Sequence, residues 1–401
     1  MSCNNEVVVT GIGVMSSIAQ GRKAYWDALK SATNGVKNIS LFNIDKFNID
    51  KAHEIVFDPK DYLPPKGLRV LDRASCLLLC AAQQVLDDSN LTITDENTDD
   101  IGIVVGTSLG SVKSISDFDK TALVEGPRYI NPRFFPNTVI NAPAGQMAIR
   151  HNVQGVNTTI STGALSSIDA IRYAQDNINL GRSKAIFCGG FEELSEQTFF
   201  GFHSLGLLSG SKEGEQYCSC PFDKRRNGIT LGEASGLLLL ENIDAAKKRN
   251  ANIFGKLLGF GQCFNVNPND ISIAIKKALD EAKLNKEDID VIFASACSDK
   301  NIDAIEAEAI KDEFKDIPIT AIKSMVGDCM GSSGVLSIIA ALGCLNKGFV
   351  PPIIGYQERD LKCDLSVVSG EVLEGKFLNA IIINIDPIQG CYCVVITKGG
   401  F

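Results

Sequence analysis

The feature that most constrains this chain is an alternation of apolar, β-branched strands with amphipathic helices, which runs through its length twice. In the first half, strands are predicted at 6–10, 101–105, 157–160, 185–188 and 235–240, and helices at 71–87 and 168–180. In the second half, strands are predicted at 291–294, 318–322, 380–384 and 392–397, and helices at 271–283, 302–314 and 334–345. Such alternation predicts an α/β fold whose parallel sheets are covered by helices.

The two series of elements share short motifs, which indicates an internal duplication. The segment 158–162, followed by a helix start rich in small residues, is echoed by 320–324 and 327–334, and the strand at 185–190 is echoed at 380–384. This period is far longer than that of a solenoid repeat. We therefore predict two α/β halves, 1–250 and 251–401, whose corresponding turns face a shared centre.

Composition excludes several classes of protein. In a chain of 401 residues, 45% hydrophobic and 22% charged residues are typical of a globular protein and exclude wholesale disorder, and a net charge of −9 argues against a broad nucleic-acid-binding face. The longest apolar run, 335–345, is interrupted by Ser337 and Gly343 and is too short to span a bilayer. Thirteen cysteines without a framework fit a reducing cytoplasm and packing as small apolar residues, and three histidines offer no metal-ligand spacing.

Glycine-rich and basic segments carry weaker signals. Gly11-Ile12-Gly13 lacks the third glycine of a dinucleotide fingerprint, and 106–111 lacks the lysine of a phosphate loop, so we interpret both as tight turns after strands. The basic segments 224–226 and 247–249 are interpreted as solvated surface, with docking of an acidic carrier protein as the alternative.

The segment 157–168 predicts a strand, a tight turn and a helix, an arrangement that places the residue at the turn on a helix N-terminus. A thiol or hydroxyl there would be acidified by the helix dipole and flanked by backbone N–H groups able to hold an oxyanion. The residue at this position is Ala164, whose methyl group can do no such chemistry. The segment thus predicts a nucleophile site without a nucleophile.

Four motifs together resemble the β-ketoacyl-[acyl-carrier-protein] synthase family. They are Val7-Val8-Val9-Thr10-Gly11-Ile12-Gly13-Val14, Pro221-Phe222-Asp223-Lys224-Arg225-Arg226-Asn227-Gly228, Leu231-Gly232-Glu233-Ala234-Ser235-Gly236 and Lys323-Ser324-Met325-Val326-Gly327. The resemblance implies a thiolase-like fold, with two duplicated α/β halves in a five-layered αβαβα arrangement that dimerises through its central sheets. It also implies that no cofactor is needed, because substrates arrive on the phosphopantetheine of an acyl carrier protein.

Condensing members of the family use a cysteine and two histidines, and this chain departs from all three. The cysteine position is matched by Ala164, the first histidine by Ser295 and the second by Asp328. Lys323 is retained, as is the acidic pair Asp303 and Glu306. The glycine-rich loop expected near the C-terminus is replaced by Asp386-Pro387-Ile388-Gln389-Gly390. The resemblance therefore implies a condensing scaffold without its reactive groups.

Within the family, this combination is most similar to the chain-length factor, or ketosynthase β subunit, of type II polyketide synthases, although well-known chain-length factors carry glutamine at the position of Ala164. Such a subunit is catalytically inactive by itself. It pairs with an active ketosynthase α subunit as a cytoplasmic heterodimer and lines a tunnel that sets polyketide length. The tunnel residues expected here are Val112, Ile115, Ser116, Phe118 and Phe200. Ordinary core or interface packing is the alternative role for them.

Three alternative functions are kept open. One is an acyltransferase or condensing enzyme with a relocated nucleophile, Cys297 or Cys329, near the positions of the absent histidines. A carboxylate beside such a thiol would raise its pKa and oppose this role. The others are a decarboxylase-type relative, which would need its histidines, and a scaffold with no tunnel role.

Overall fold

A computed structural model describes residues 6–399 of the chain. The strands of this part are β1 (Val7–Met15), β2 (Lys37–Asn38), β3 (Lys51–Ala52), β4 (Ile101–Gly106), β5 (Asn157–Ile160), β6 (Ala185–Glu192), β7 (Ala234–Asn242), β8 (Gly255–Cys263), β9 (Val291–Phe293), β10 (Ile319–Thr320), β11 (Phe349–Val350), β12 (Leu373–Glu374), β13 (Asn379–Asp386) and β14 (Gly390–Lys398). The α-helices are α1 (Arg22–Lys30), α2 (Arg73–Ser89), α3 (Val112–Val124), α4 (Ala142–His151), α5 (Ser166–Asn179), α6 (Glu196–Ser204), α7 (Ile243–Lys248), α8 (Pro268–Ala282), α9 (Ile302–Glu313), α10 (Lys323–Val326) and α11 (Ser333–Lys347).

The main sheet shows the duplication directly. Its order is β10-β9-β13-β14-β8-β1-β7-β6-β4-β5, so five strands of the second half and five of the first follow one order outward from the centre. In each half three strands are parallel, and the strand next to the innermost one is antiparallel to both neighbours. The innermost strands, β1 and β8, pair antiparallel through Val8 with Lys256 and Val9 with Gly255. The predicted duplication is confirmed, whereas a division at residue 250 stays a prediction.

Helices cover both sides of each five-stranded part. α5 packs on β4 and β6, α11 packs on β13 and β14, and the two helices contact each other between the sheet halves. α2 covers the opposite side of the first part and α8 that of the second. These contacts give the five α-β-α-β-α layers predicted for the fold.

The central helix α11 explains the longest apolar run of the chain. The segment Met330–Lys347 is long and apolar enough to cross a membrane by length and composition alone, but 89% of it is buried within the protein. Every residue from Ser333 to Leu345 is buried. We therefore assign the segment to the protein core.

Two glycines predicted to form a turn after the first strand instead lie inside it, which corrects that interpretation. β1 continues through Gly11 and Gly13 to Met15, with a register shift between Val9 and Gly11. A Cβ atom on Gly13 would lie 2.0 Å from the carbonyl oxygen of Ala81 in α2. These glycines therefore allow α2 to approach the strand closely, a tertiary requirement that the local pattern does not reveal.

One pair of cysteines differs from expectation. The expectation that the cysteines pack as free apolar residues is wrong for Cys218 and Cys220, which form a disulfide. Ten others within residues 6–399 are free, and all of these except Cys297 are buried. Packing as small apolar groups holds for those nine.

Candidate functional site

The turn between β5 and α5, which we call the elbow (residues 161–166), has the geometry predicted from the sequence. Gly163 adopts a positive φ of 58°, and Leu165 donates its backbone N–H to the carbonyl of Thr162 at 3.1 Å. Ala164 lies half-buried at the turn, next to Leu165, the N-cap residue of α5, which begins at Ser166. Its N–H therefore lies beside the positive end of the helix, where an anion is stabilised.

The C-terminal end of β13 holds Ala164 from both sides. The Asn384 side chain donates to the Ala164 carbonyl oxygen at 2.7 Å, and the Ala164 N–H donates to Oδ2 of Asp386, also at 2.7 Å. The other oxygen of Asp386 accepts from the backbone N–H groups of Ile388 and Gln389 at 2.9 and 3.0 Å. The N–H group that would hold an oxyanion therefore already donates to a carboxylate of the protein.

Ser295 lies beside this contact, because its Oγ accepts the backbone N–H of Ile385 at 3.0 Å. Its own N–H donates to Oε1 of Glu306 at 2.6 Å, while Oε2 of Glu306 has no hydrogen-bond partner within residues 6–399. Burial raises the pKa of Glu306 to about 8, so this carboxyl group holds a proton at neutral pH. Asp303, also buried, has its pKa raised to about 6 and accepts the N–H groups of Phe222 and Cys297.

Lys323 and Asp328 form an ion pair within the protein, with Nζ and Oδ2 3.0 Å apart and little exposure of either side chain. Burial alone would lower the pKa of Lys323, but the facing carboxylate outweighs it and the pKa lies above its ordinary value. The second oxygen of Asp328 accepts the backbone N–H of Met330 at 2.9 Å. Both charges are thus neutralised by protein groups, and Lys323 has a fixed partner.

Neither candidate cysteine has the environment of an activated nucleophile. Cys329 is fully buried and donates its thiol to the Val326 carbonyl oxygen at 3.4 Å. Cys329 is buried and Cys297 half-buried, and the loss of solvent around their thiols raises the pKa of both well above the ordinary value. The Asp328 carboxylate raises both pKa values further, and the Lys323 ammonium lowers them without cancelling the effect of burial. The thiolate, which is the reactive form, is therefore disfavoured at both positions.

The five expected tunnel residues fall on two helices that pack together. Val112, Ile115, Ser116 and Phe118 lie on α3 and Phe200 on α6, and Oγ of Ser116 accepts from the Gln197 side chain of α6 at 2.9 Å. Of the five, Phe118 lines a cavity of about 370 Å³, whose other walls include Tyr129 and Phe134. Phe200 is 58% exposed, and its ring centroid lies 6.5 Å from that of Phe47.

A continuous stretch of chain next to these helices carries unusual exposed apolar surface. α3 buries none of its side chains. The exposed large apolar residues between 109 and 140 are Leu109, Ile115, Leu123, Val124, Tyr129, Phe134, Phe135, Val139 and Ile140. β5 ends the main sheet, and no strand of the described residues pairs with its outer edge. The residue after β5, Ser161, donates its hydroxyl to the carbonyl oxygen of Ser108 at 3.1 Å, which places the end of β5 beside the start of this stretch. We call these apolar residues together with β5 the exposed face; apolar patches and open sheet edges are surfaces that partners cover.

The two basic segments are only partly solvated, which corrects the sequence interpretation. Arg226 is 3% exposed and pairs with Asp360 at 2.5 Å, while Arg225 binds Asp223. In the second segment, Arg249 pairs with Glu241. These arginines stabilise the fold, and Lys224, Lys247 and Lys248 are the members left for a carrier protein. Within residues 6–399, no group of three His, Cys, Asp or Glu residues is arranged to hold a metal ion.

The roles of Asp386, Asn384 and Gly163 do not follow from the sequence pattern. The loop after β13 departs visibly from the family pattern, but its contact with the elbow joins residues 222 positions apart. The available signal was an acidic residue in a loop expected to be glycine-rich, combined with a glycine directly before Ala164.

Comparison with protein families finds two matching models. The model described as "Beta-ketoacyl synthase, N-terminal domain" matches residues 4–246, and "Beta-ketoacyl synthase, C-terminal domain" matches residues 262–357. Together they span most of the chain.

Individual relatives match over nearly their full length. A 3-oxoacyl-[acyl-carrier-protein] synthase 2 of Coxiella burnetii is 31% identical over 384 residues, covering 92% of this chain and 93% of the relative. The tetracenomycin polyketide synthase ketoacyl synthase alpha subunit of Streptomyces glaucescens is 30% identical, with 90% of each chain covered. Among solved structures, the ishigamide ketosynthase/chain length factor matches with a TM-score of 0.92 and 29% identity, covering 98% of this chain and 99% of that one.

Proposed function

Because this chain belongs to the β-ketoacyl synthase family and has the thiolase-like fold, we propose that it is the non-catalytic chain-length factor of a type II polyketide synthase. In this role it pairs with an active ketosynthase α subunit. The partner performs decarboxylative condensation with malonyl groups on acyl carrier protein, and this subunit forms part of the tunnel that receives the growing chain. The family needs no cofactor, because substrates are carried on phosphopantetheine. We place the complex in the cytoplasm.

The observation that carries the proposal is the state of the elbow. Ala164 cannot accept an acyl group, and the N–H that would hold an oxyanion is bound by Asp386. The thiols near the centre are held in their unreactive form. A relocated-nucleophile enzyme is therefore the weaker hypothesis. A decarboxylase-type relative is weaker as well, because Ser295 and Asp328 replace the histidines it would require.

The exposed face supports the pairing with a related subunit. Its apolar side chains and the open edge of β5 are adjacent, so one partner with a matching edge strand could cover both. A second copy of this chain is the competing occupant. A ketosynthase is favoured because one of the matching structures is a ketosynthase/chain length factor.

Copurification tests the pairing. The full chain, co-expressed with a type II ketosynthase α subunit that has an intact Cys-His-His set, is expected to elute with that enzyme as a one-to-one heterodimer. Tyr129→Asp and Phe135→Asp, at side chains 71% and 59% exposed, should abolish the complex because a charge would be buried in the interface. Leu361→Asp is the matched control, since Leu361 is 81% exposed and lies outside the exposed face.

Two outcomes would contradict the proposal. One is a stable homodimer that does not exchange with the ketosynthase, and the other is condensation of malonyl groups by the purified chain alone. Acylation of this chain after incubation with acyl-loaded carrier protein, detected by intact mass, would favour the relocated-nucleophile enzyme instead.

Product length tests the tunnel. Phe118→Ala enlarges a cavity that already measures about 370 Å³, so the reconstituted complex should release longer polyketides. Phe200→Ala should change product length less, because the Phe200 ring is largely exposed. Unchanged products for both variants, measured by mass spectrometry, would remove these residues from the tunnel wall.

A further inference from the structure

We propose that Asp386 acts as a built-in anion that occupies the oxyanion site of the elbow and holds it in a state that cannot bind a substrate oxyanion. The proposal deepens the non-catalytic role proposed above and rests on it. It makes Asp386 a fourth reason for the absence of condensing activity, in addition to Ala164, Ser295 and Asp328. Asp386 is accordingly a positioning residue, which acts through the backbone of the elbow.

The contacts of Asp386 join two distant parts of the chain. One carboxylate oxygen accepts the N–H of Ala164 at 2.7 Å, and the other accepts the N–H groups of Ile388 and Gln389. Three backbone donors thus converge on one negative charge. Asn384 adds a bond from the same strand to the carbonyl of Ala164. The loop after β13 and the elbow are therefore fixed to each other.

Gly163 provides an independent observation in favour of the proposal. A Cβ atom at this position would lie 2.1 Å from Oδ2 of Asp386, closer than any real contact, and 3.0 Å from its carboxyl carbon. Only a residue without a side chain leaves room for the carboxylate against the elbow. The space that holds Asp386 thus depends on glycine immediately before Ala164.

The physical consequence is that restoring a nucleophile would not restore an oxyanion site. A substrate oxyanion would have to displace a carboxylate of the same charge, and a thiol introduced by A164C would have its pKa raised by that carboxylate. Removing the charge of Asp386 should therefore acidify the thiol. A purely structural role for Asp386 predicts no such change.

The test measures alkylation of the introduced thiol in full-length A164C and A164C/D386N as a function of pH, using iodoacetamide. Mass spectrometry of the peptide that contains position 164 separates this thiol from the native ones. We expect A164C/D386N to react about tenfold faster at neutral pH, with the midpoint of its pH profile lower by about one unit. A164C/D87N is the matched control, because Asp87 is an exposed carboxylate elsewhere on the protein.

Equal rates and equal midpoints for A164C and A164C/D386N would overturn the proposal. A second measurement needs no new cysteine: amide hydrogen exchange at Ala164 should accelerate about tenfold in D386A relative to the native chain. Unchanged exchange would also contradict the proposal. Neither result depends on copurification with the ketosynthase, so a failure here is distinguishable from a failure of the proposed function.

Discussion

Replacing Gly163 by alanine tests the geometry of the elbow most directly. Two costs are expected. The first is backbone strain, because a residue with a Cβ at a φ of 58° destabilises the folded state by about 1–2 kcal/mol. The second arises because the new methyl group would lie 2.1 Å from Oδ2 of Asp386, so the carboxylate must leave the Ala164 N–H. Loss of a hydrogen bond to a charged group costs about 1.5–3 kcal/mol. G163A should therefore lower the free energy of unfolding by about 3–4 kcal/mol.

A control variant and a double mutant separate these two costs. Gly181, at the end of α5, also has a positive φ, of 70°, but no atom lies within 4 Å of its ideal Cβ position. G181A should therefore show the backbone strain alone. In the D386A background the collision at Gly163 is removed, so the effect of G163A should shrink to a similar value. The coupling energy between Gly163 and Asp386 is expected to be about 2 kcal/mol.

Urea unfolding followed by tryptophan fluorescence provides the assay. Trp26 is the one tryptophan of the chain, is buried, and donates its indole N–H to the Ile339 carbonyl oxygen at 2.9 Å. It therefore reports on the packing of α1 against α11. Additive effects of G163A and D386A, or equal effects of G163A and G181A, would refute the reasoning.

Three further predictions concern buried titratable groups and are tested by the midpoints of urea unfolding. Lys323→Met leaves the Asp328 carboxylate without its counterion and should lower the free energy of unfolding by about 3 kcal/mol. Adding D328N in the same chain should restore most of this loss. No recovery would mean that the broken ion pair is not its cause. The pKa of Glu306 is raised from 4.5 to about 8, so its contribution to stability is present below pH 4.5 and is lost as pH rises toward 8. E306Q should remove this pH dependence of stability. A pH profile of stability unchanged in E306Q would contradict the assignment to Glu306. Burial lowers the pKa of His53 from 6.5 to about 3, so its contribution to stability is present above pH 6.5 and is lost as pH falls toward 3. H53N should therefore reduce the fall in stability on the acid side of the pH profile. A fall as steep as that of the native chain would exclude His53 as its source.

Much of the fold was predictable from the sequence because the spacing of apolar residues within short segments indicates most of its helices and strands. The helices α2, α5 and α8 and the strands β4, β6, β7, β13 and β14 follow apolar spacing that any short window displays. The innermost strand of the second half, β8, is not among the predicted strands. The end of β1 was not predictable in this way. Gly11 and Gly13 suggest a turn when considered locally, but they serve the approach of α2, whose contact residue Ala81 lies far along the chain.

The site was predictable to the extent that it depends on one segment. The elbow follows from the strand, small residues and helix around Ala164. The contact between Ala164 and Asp386 does not, because it joins the two halves across 222 positions and depends on how their sheets are placed. The burial that raises the pKa of Glu306 is likewise a tertiary effect.

The replaced positions have acquired partners within the protein. Ala164 donates to Asp386, Asp328 pairs with Lys323, and Ser295 accepts the N–H of Ile385. If the reactive side chains had been lost without such changes, the polar groups around them would be left unpaired, at about 1–3 kcal/mol for each buried group. The observed hydrogen bonds tie Ala164, Ser295 and Asp328 into the protein, and within residues 6–399 Oε2 of Glu306 is the carboxyl oxygen beside them that has no partner. A subunit whose role is to hold shape beside a working enzyme gains from this arrangement, whereas a condensing enzyme would need the same groups free to meet its substrate.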